Sequence, residues 1–167
     1  MVKQVKVEFE EGGEGGKAAI FYSIAGTLLG IGYIPLAPAT AASIIVCILI
    51  WFLLKSPLTY LVLIIILFIM GVWISSKLGN LWGEDNRRIV IDESVGMLIT
   101  LFMIPQRMLF FLIGFFLFRF FDIVKPYPIN ESQKLKNGWG VVMDDVIAGM
   151  YSSIILWIFI FFYYLIQ

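Results

Sequence analysis

The chain has 167 residues and a formal net charge of zero, and 60% of its residues are hydrophobic whereas only 14% are charged. Soluble domains are about 45–50% apolar and about 25% charged, so this composition predicts an integral membrane protein of one domain. The balance of twelve basic and twelve acidic residues leaves no strongly basic surface for nucleic acid. The chain has no histidine, which excludes catalysis or metal binding by histidine. Its one cysteine, Cys47, lies in an apolar run, and one cysteine cannot form a disulfide framework.

Residues 1–17 are polar and glycine-rich, without the basic start and apolar core of a signal peptide. They predict a flexible tail whose glutamates serve solvation rather than function. These glutamates are Glu8, Glu10, Glu11 and Glu14. Residues 18–167 are predicted to form a single helical membrane domain that carries any catalysis.

Six apolar runs follow the tail. They are Ala18–Ile34, Ala39–Leu54, Leu58–Ser76, Ile89–Ile104, Met108–Phe121 and Val146–Ile166. A membrane-spanning helix needs roughly 17 to 25 residues, and the breaks at 55–57 and 105–107 are long enough only for tight helical hairpins. We therefore predict an all-α integral membrane protein with about five transmembrane helices, preceded by one interfacial or re-entrant helix. If the first run also spanned the membrane, the tail would lie outside.

Basic residues divide unevenly between the two sides of this topology. Ten of the twelve fall on the side of the tail, and only Lys55 and Arg107 fall on the other side. Because positive residues favour the cytoplasmic side of a membrane, the tail side is predicted to face the cytoplasm.

Two acidic pairs, Asp92-Glu93 and Asp144-Asp145, begin the fourth and the last apolar runs. The helix dipole stabilises one acid at such a position by roughly 0.3–1 kcal/mol, whereas a charge directed toward the bilayer costs about 2.5–3.5 kcal/mol. Dipole stabilisation alone is therefore insufficient for adjacent acids. Oxygen ligands without His or Cys select Mg²⁺, Mn²⁺ or Ca²⁺ over zinc. The pairs predict a divalent-cation site, with simple helix capping as the alternative.

A glycine follows each acidic pair on the same helical face. Gly96 comes four residues after Asp92, and Gly149 comes four residues after Asp145. Small residues let helices approach closely, so these positions predict a close helix contact beside the acids.

Arg119, Asp122 and Lys125 surround the predicted end of the fifth span, where Pro126 and Pro128 prevent the helix from continuing. Arg119 and Asp122 share a helical face, so one interpretation is an interfacial salt bridge. The other is a phosphate site, because an arginine offers a bidentate fork and a lysine a point charge.

Thr40 follows the two prolines that end the first apolar run. Its position fits the N-cap of the next helix, with Ser43 three residues later. Contact with a ligand is an equally supported interpretation.

Four ordered motifs resemble the phosphatidylglycerophosphatase A family. They are YIPxAPxTxxS at Tyr33–Ser43, IVIDExVG at Ile89–Gly96, FRxFDIxKPxPI at Phe118–Ile129 and GxGxxxDDxxAG at Gly138–Gly149. The resemblance runs from about residue 30 to residue 149. It implies a bacterial inner-membrane, Mg²⁺-dependent lipid phosphatase that converts phosphatidylglycerol phosphate to phosphatidylglycerol and inorganic phosphate. The topology predicted above places the active site of such an enzyme at the cytoplasmic face.

The chemistry of phosphate transfer predicts a role for each charged residue, because cations must surround the reacting phosphate. Asp92, Glu93, Asp144 and Asp145 are predicted to hold Mg²⁺, with Asp122 as a further ligand or a base that orients water. Arg119, Lys125 and Thr40 are predicted to contact the substrate phosphate. Ala39 and Ala42 stand where family members usually carry glycine, which weakens the assignment of Thr40. Water bound to the metal is the preferred nucleophile, and an aspartyl-phosphate intermediate is the alternative.

Other functions compete with this interpretation. The nearest is another metal-dependent membrane lipid phosphatase or phosphotransferase, although the D-x-x-D-G-x-x-A-R pattern of phosphatidyl transferases is absent. A non-enzymatic cation-binding or transport subunit would need acids near the bilayer midplane, where the predicted topology places none. The sequence does not determine the oligomeric state.

Overall fold

A computed structural model of the chain describes residues 14–53, 55–83 and 86–167. Its regular elements are α1 Glu14–Gly26, a 3-10 turn Ile31–Tyr33, α2 Pro38–Leu53, α3 Pro57–Trp82, α4 Ile91–Leu101, α5 Met108–Val124, α6 Ile129–Ser132 and α7 Gly138–Ile166. The predicted all-α fold is confirmed for the described residues. Residues 1–13 of the predicted tail lie outside them, and α1 begins at Glu14, before the expected start of the membrane domain at Ala18.

Two helices, α3 with 26 residues and α7 with 29, are long and apolar enough to cross a membrane. The predicted count of five spans is not established by helix length, because α2 and α5 have 16 and 17 residues and α4 has 11. At about 1.5 Å of rise per residue, α4 covers roughly half of a hydrocarbon core about 30 Å thick.

The short α4 is the central helix of the bundle. Every residue of α4 except Ile99 is buried, because α2, α3, α5 and α7 all pack against it. Its polar residues are therefore enclosed by protein. Ser94 and Thr100 are examples, and both are almost fully buried.

Helices α4 and α7 cross at two glycines, which confirms the predicted close contact. A Cβ atom on Gly149 would lie 2.5 Å from the carbonyl oxygen of Gly96, and a Cβ atom on Gly96 would lie 2.7 Å from the carbonyl oxygen of Asp145. A larger residue at either position meets backbone, which cannot move aside as a side chain can. Since each glycine comes one helical turn after an acid, the crossing brings Asp92 and Asp145 together.

One end of the bundle holds the acidic residues. The end of α3 meets the start of α7 there, where the backbone N–H of Gly138 donates to Ser76 Oγ at 2.9 Å. The end of α1 joins the same region, because the Val90 N–H donates to the Gly26 carbonyl at 2.9 Å.

The opposite end of the bundle holds Lys55 and Arg107. Lys55 Nζ donates to Gln106 Oε1 at 2.7 Å, and Arg107 Nη1 donates to the Tyr163 hydroxyl at 3.3 Å near the end of α7. The two basic residues predicted to lie opposite the acids therefore do so.

Candidate active site

Three carboxyl groups form the centre of the site, and we call them the acid trio: Asp92 and Glu93 in the first turn of α4, and Asp145 on α7. One oxygen from each lies within 4.8 Å of the others. The residues are only 8%, 8% and 3% exposed. Asp92 Oδ1 and Glu93 Oε2 have no hydrogen-bond partner among the described residues. Buried carboxylates without partners are costly, and three oxygen ligands at this spacing fit a hard divalent cation.

Asp144 faces a different neighbour from Asp145, because consecutive residues of an α-helix point about 100° apart. Asp144 Oδ2 accepts hydrogen bonds from Lys125 Nζ at 2.6 Å and from Gln133 Nε2 at 2.9 Å. The structure thus groups three of the four predicted metal ligands and places the fourth beside a cation. Gln133 was missed in the sequence, where a polar residue in a surface turn carries no signal of a buried acidic partner.

Arg119 lies against Asp122, in agreement with the salt bridge that was one of the two interpretations of the sequence. The distance from Arg119 Nη1 to Asp122 Oδ2 is 2.8 Å, and both side chains are 14% exposed. The contact is one of charge rather than of directed hydrogen bonding, because Arg119 Nε and Nη1 have no hydrogen-bond acceptor in the described part of the chain. The guanidinium therefore keeps donors for an anionic ligand.

Lys125 ends α5 with a left-handed backbone, at φ 45°, and its Nζ lies 3.9 Å from Asp122 Oδ1 in addition to its contact with Asp144. Burial lowers the pKa of Lys125. The hydrogen bond to Asp144 and the charges of Asp144, Asp122 and Asp145 raise the pKa more, so that it lies above its ordinary value. The ammonium group is therefore charged at neutral pH.

The site carries more negative than positive charge. Its acidic members are Asp92, Glu93, Asp122, Asp144 and Asp145, and its basic members are Arg119 and Lys125. The carboxyl groups of Asp122 and Asp145 adjoin each other, which connects the acid trio to the two basic side chains. A phosphate dianion would be repelled unless further positive charge entered, and a divalent cation supplies it.

Thr40 is the third residue of α2, which begins at Pro38. The predicted N-cap at Thr40 is therefore wrong, because the chain becomes helical two residues earlier, after Ala37 with its positive φ of 49°. No hydrogen bond within the described ranges joins Thr40 to the acidic residues, and its contact with phosphate stays a prediction.

Comparison with known proteins places these residues in a family. The family model for phosphatidylglycerophosphatase A matches residues 24–160. A Haemophilus influenzae protein named phosphatidylglycerophosphatase A is 38% identical over 132 residues, which cover 76% of this chain and 81% of that protein. An Escherichia coli protein of the same name is 34% identical over 133 residues, which cover 77% of each chain.

A Bacteroides thetaiotaomicron protein is 42% identical over 142 residues, which cover 78% of this chain and 88% of that protein, and its name gives it as a candidate phosphatidylinositol-3-phosphatase. No solved structure matches the chain. The family match includes all the charged residues of the site described above, from Asp92 to Asp145. The chain belongs to the phosphatidylglycerophosphatase A family, which is a family of phosphatases.

Proposed function

We propose that the protein removes the terminal phosphate of phosphatidylglycerol phosphate in a Mg²⁺-dependent reaction and so makes phosphatidylglycerol for the bacterial membrane. The main observation behind this proposal is the buried acid trio, next to which Asp122 contacts Arg119 and Asp144 contacts Lys125. The names of the Haemophilus and Escherichia relatives support the choice of substrate.

The acid trio fits Mg²⁺ because it offers only oxygen ligands, two of them without partners among the described residues. Mg²⁺ held by Asp92, Glu93 and Asp145 would supply positive charge against the charge that develops on the phosphoryl oxygens.

The basic side chains and Asp122 perform the remaining steps. Arg119 and Lys125 bind the nonbridging phosphate oxygens and hold the phosphorus in place for attack. Asp122 touches Arg119, and the carboxyl group of Asp145 adjoins it. There it orients a water molecule and accepts its proton as the water oxygen bonds to phosphorus. The bond from phosphorus to the glycerol oxygen breaks, and that oxygen takes up a proton as it leaves.

A phosphatidylinositol 3-phosphate is the second candidate substrate, which the name of the Bacteroides relative favours. Both lipids present a phosphate monoester and a phosphodiester on the first and third carbons of a polyol, with a free hydroxyl on the carbon between them. The reacting ends of the two headgroups are therefore chemically alike, and phosphate release has to be measured on both.

Purified protein in detergent is expected to release phosphate from phosphatidylglycerol phosphate with Mg²⁺, and to lose this activity in EDTA. Restoring Mg²⁺ should restore the rate, because chelation removes the charge that offsets the carboxylates. Phosphatidylinositol 3-phosphate and phosphatidic acid serve as comparison substrates. Activity that survives EDTA would overturn the metal assignment, and release from the inositol lipid alone would favour the second substrate.

The same proposal includes five membrane spans and an active site on the cytoplasmic face of the bacterial inner membrane. Its support is the position of Lys55 and Arg107 at the end opposite the acids, together with the preference of basic residues for the cytoplasm.

This orientation predicts the labelling of single cysteines in intact cells. In a Cys47→Ala background, a membrane-impermeant thiol reagent added outside should label Arg107→Cys and should leave Arg88→Cys unlabelled until the membrane is opened. Labelling of position 88 from outside would contradict the topology.

A further inference from the structure

Asp144 and Gln133 lie beside the acid trio without belonging to it. We infer that they are positioning residues that hold Lys125 against the substrate phosphate, and that Asp144 is not a metal ligand. The role of Lys125 in this inference rests on the proposed function, whereas the placement of Asp144 outside the metal site does not.

Both oxygens of Asp144 are already engaged. Oδ1 accepts the backbone N–H of Asp145 at 3.0 Å, and Oδ2 accepts from Lys125 and Gln133 at 2.6 Å and 2.9 Å. A divalent cation on Oδ2 would lie next to the ammonium group of Lys125. Because the site is shielded from bulk water, the two positive charges would repel each other strongly at this distance. Asp144 is thus suited to fix a cationic side chain.

Gln133 is held in place by the packing of its backbone on α7. A Cβ atom on Gly140 would lie 2.7 Å from the Gln133 carbonyl oxygen and 2.5 Å from the Leu135 carbonyl oxygen. The turn after α6 therefore lies directly on the first turns of α7. Gly140 and Asp144 are four residues apart and share a helical face, so the same packing brings the Gln133 amide to the Asp144 carboxylate.

The Lys125 side chain needs such support. It extends from the end of α5, outside the helix, and its ammonium contacts Asp144 closely and Asp122 only at 3.9 Å. Gln133 fixes the rotation of the Asp144 carboxylate, and the carboxylate fixes Nζ, which keeps further N–H groups for a phosphate. Loss of Gln133 frees the carboxylate to turn and lets the ammonium move from its position.

The test uses purified full-length protein in detergent and six variants. They are Gln133→Leu, Asp144→Asn, Asp145→Asn, Glu131→Gln, Lys125→Met and the double variant Lys125→Met/Gln133→Leu. Gln133 is exposed, so its replacement leaves the core intact. Glu131 is the matched control, because it lies in the same connection and pairs with Lys134 at 2.7 Å on the surface. Mg²⁺ binding is measured by calorimetry without substrate, and phosphate release is measured at saturating Mg²⁺.

Gln133→Leu is expected to bind Mg²⁺ with the affinity of the wild type. Asp144→Asn should bind it slightly more weakly, because a nearby negative charge is lost, whereas Asp145→Asn, which loses an oxygen of the trio, should bind it at least about 10-fold more weakly than Asp144→Asn. Gln133→Leu should lower kcat/KM by about 3- to 10-fold, the effect of one lost ordinary hydrogen bond, because Gln133 acts on the phosphate only through Asp144 and Lys125. In a Lys125→Met background Gln133→Leu should have no further effect, because Gln133 acts through Lys125. Glu131→Gln should match the wild type.

Asp144→Asn with Mg²⁺ binding as weak as that of Asp145→Asn would make Asp144 a metal ligand and overturn the inference. The role of Gln133 would be overturned if Gln133→Leu left kcat/KM unchanged. It would also be overturned if Gln133→Leu lowered kcat/KM by the same factor in the wild-type and Lys125→Met backgrounds. If the wild type released no phosphate from any lipid tested, the proposed function would fail, while the Mg²⁺ titrations would still decide the place of Asp144.

Discussion

Asp92→Asn and Asp145→Asn are each expected to lower kcat/KM by at least about 100-fold while the helical bundle stays folded. Asparagine keeps the shape of the side chain and removes its charge, so the change acts on cation binding rather than on packing. Each residue supplies one of the three oxygens that lie within 4.8 Å of one another. With one charge removed, the remaining two carboxylates hold the cation weakly and in a different place.

The double variant is expected to be scarcely less active than either single variant, because residues that act as one unit do not contribute additively. Phosphate release and Mg²⁺ binding are measured on all three proteins, and gel filtration in detergent checks that they remain folded. Glu131→Gln again serves as the surface control. Near-normal Mg²⁺-dependent turnover in both single variants would remove the acid trio from the mechanism.

Gly149→Ala is expected to destabilise the protein by about 1–3 kcal/mol or more, and to abolish most of its activity. The added Cβ atom would lie 2.5 Å from the Gly96 carbonyl oxygen, and relief of this clash forces α7 away from α4. Because α4 carries two members of the acid trio and α7 carries the third, a shift of either helix separates the three carboxyl groups.

Gly71→Ala on α3 is the matched control. A Cβ atom there would meet its nearest neighbour, a methyl group of Val142, at 3.4 Å, which is ordinary contact, and alanine favours a helix over glycine. Thermal unfolding in detergent and phosphate release are compared for the two variants. Equal stability and activity of Gly149→Ala and the wild type would show that the crossing tolerates a methyl group.

The sequence predicts those parts of the site that depend on local periodicity. An acid and a glycine four residues apart lie on the same face of a helix, whatever that helix packs against. The spacing from each acid to its glycine at Asp92 and Asp145 therefore predicted that the two helices cross closely and that their acids lie near each other. The salt bridge from Arg119 to Asp122 follows from the same spacing.

Contacts that depend on which other parts of the chain pack nearby cannot be predicted from local spacing. Both Asp144 and Asp145 were predicted metal ligands, and their different contacts are decided by which neighbour covers each face of α7. Gln133 reaches Asp144 only because the turn after α6 packs on Gly140. Helix length is also not evident from the sequence. The apolar run continues from Ile89 to Ile104, whereas α4 ends at Leu101 and Met103 has a positive φ of 58°.

The central position of α4 has a consequence for how the protein is made. Two members of the acid trio belong to α4 and the third belongs to α7, which is synthesised after α4 and α5. Until α7 is synthesised, α4 lacks the neighbour that completes the trio and covers its acids, and a charged helix of 11 residues partitions poorly into lipid on its own. The acid trio is therefore complete only in a chain whose synthesis has reached α7.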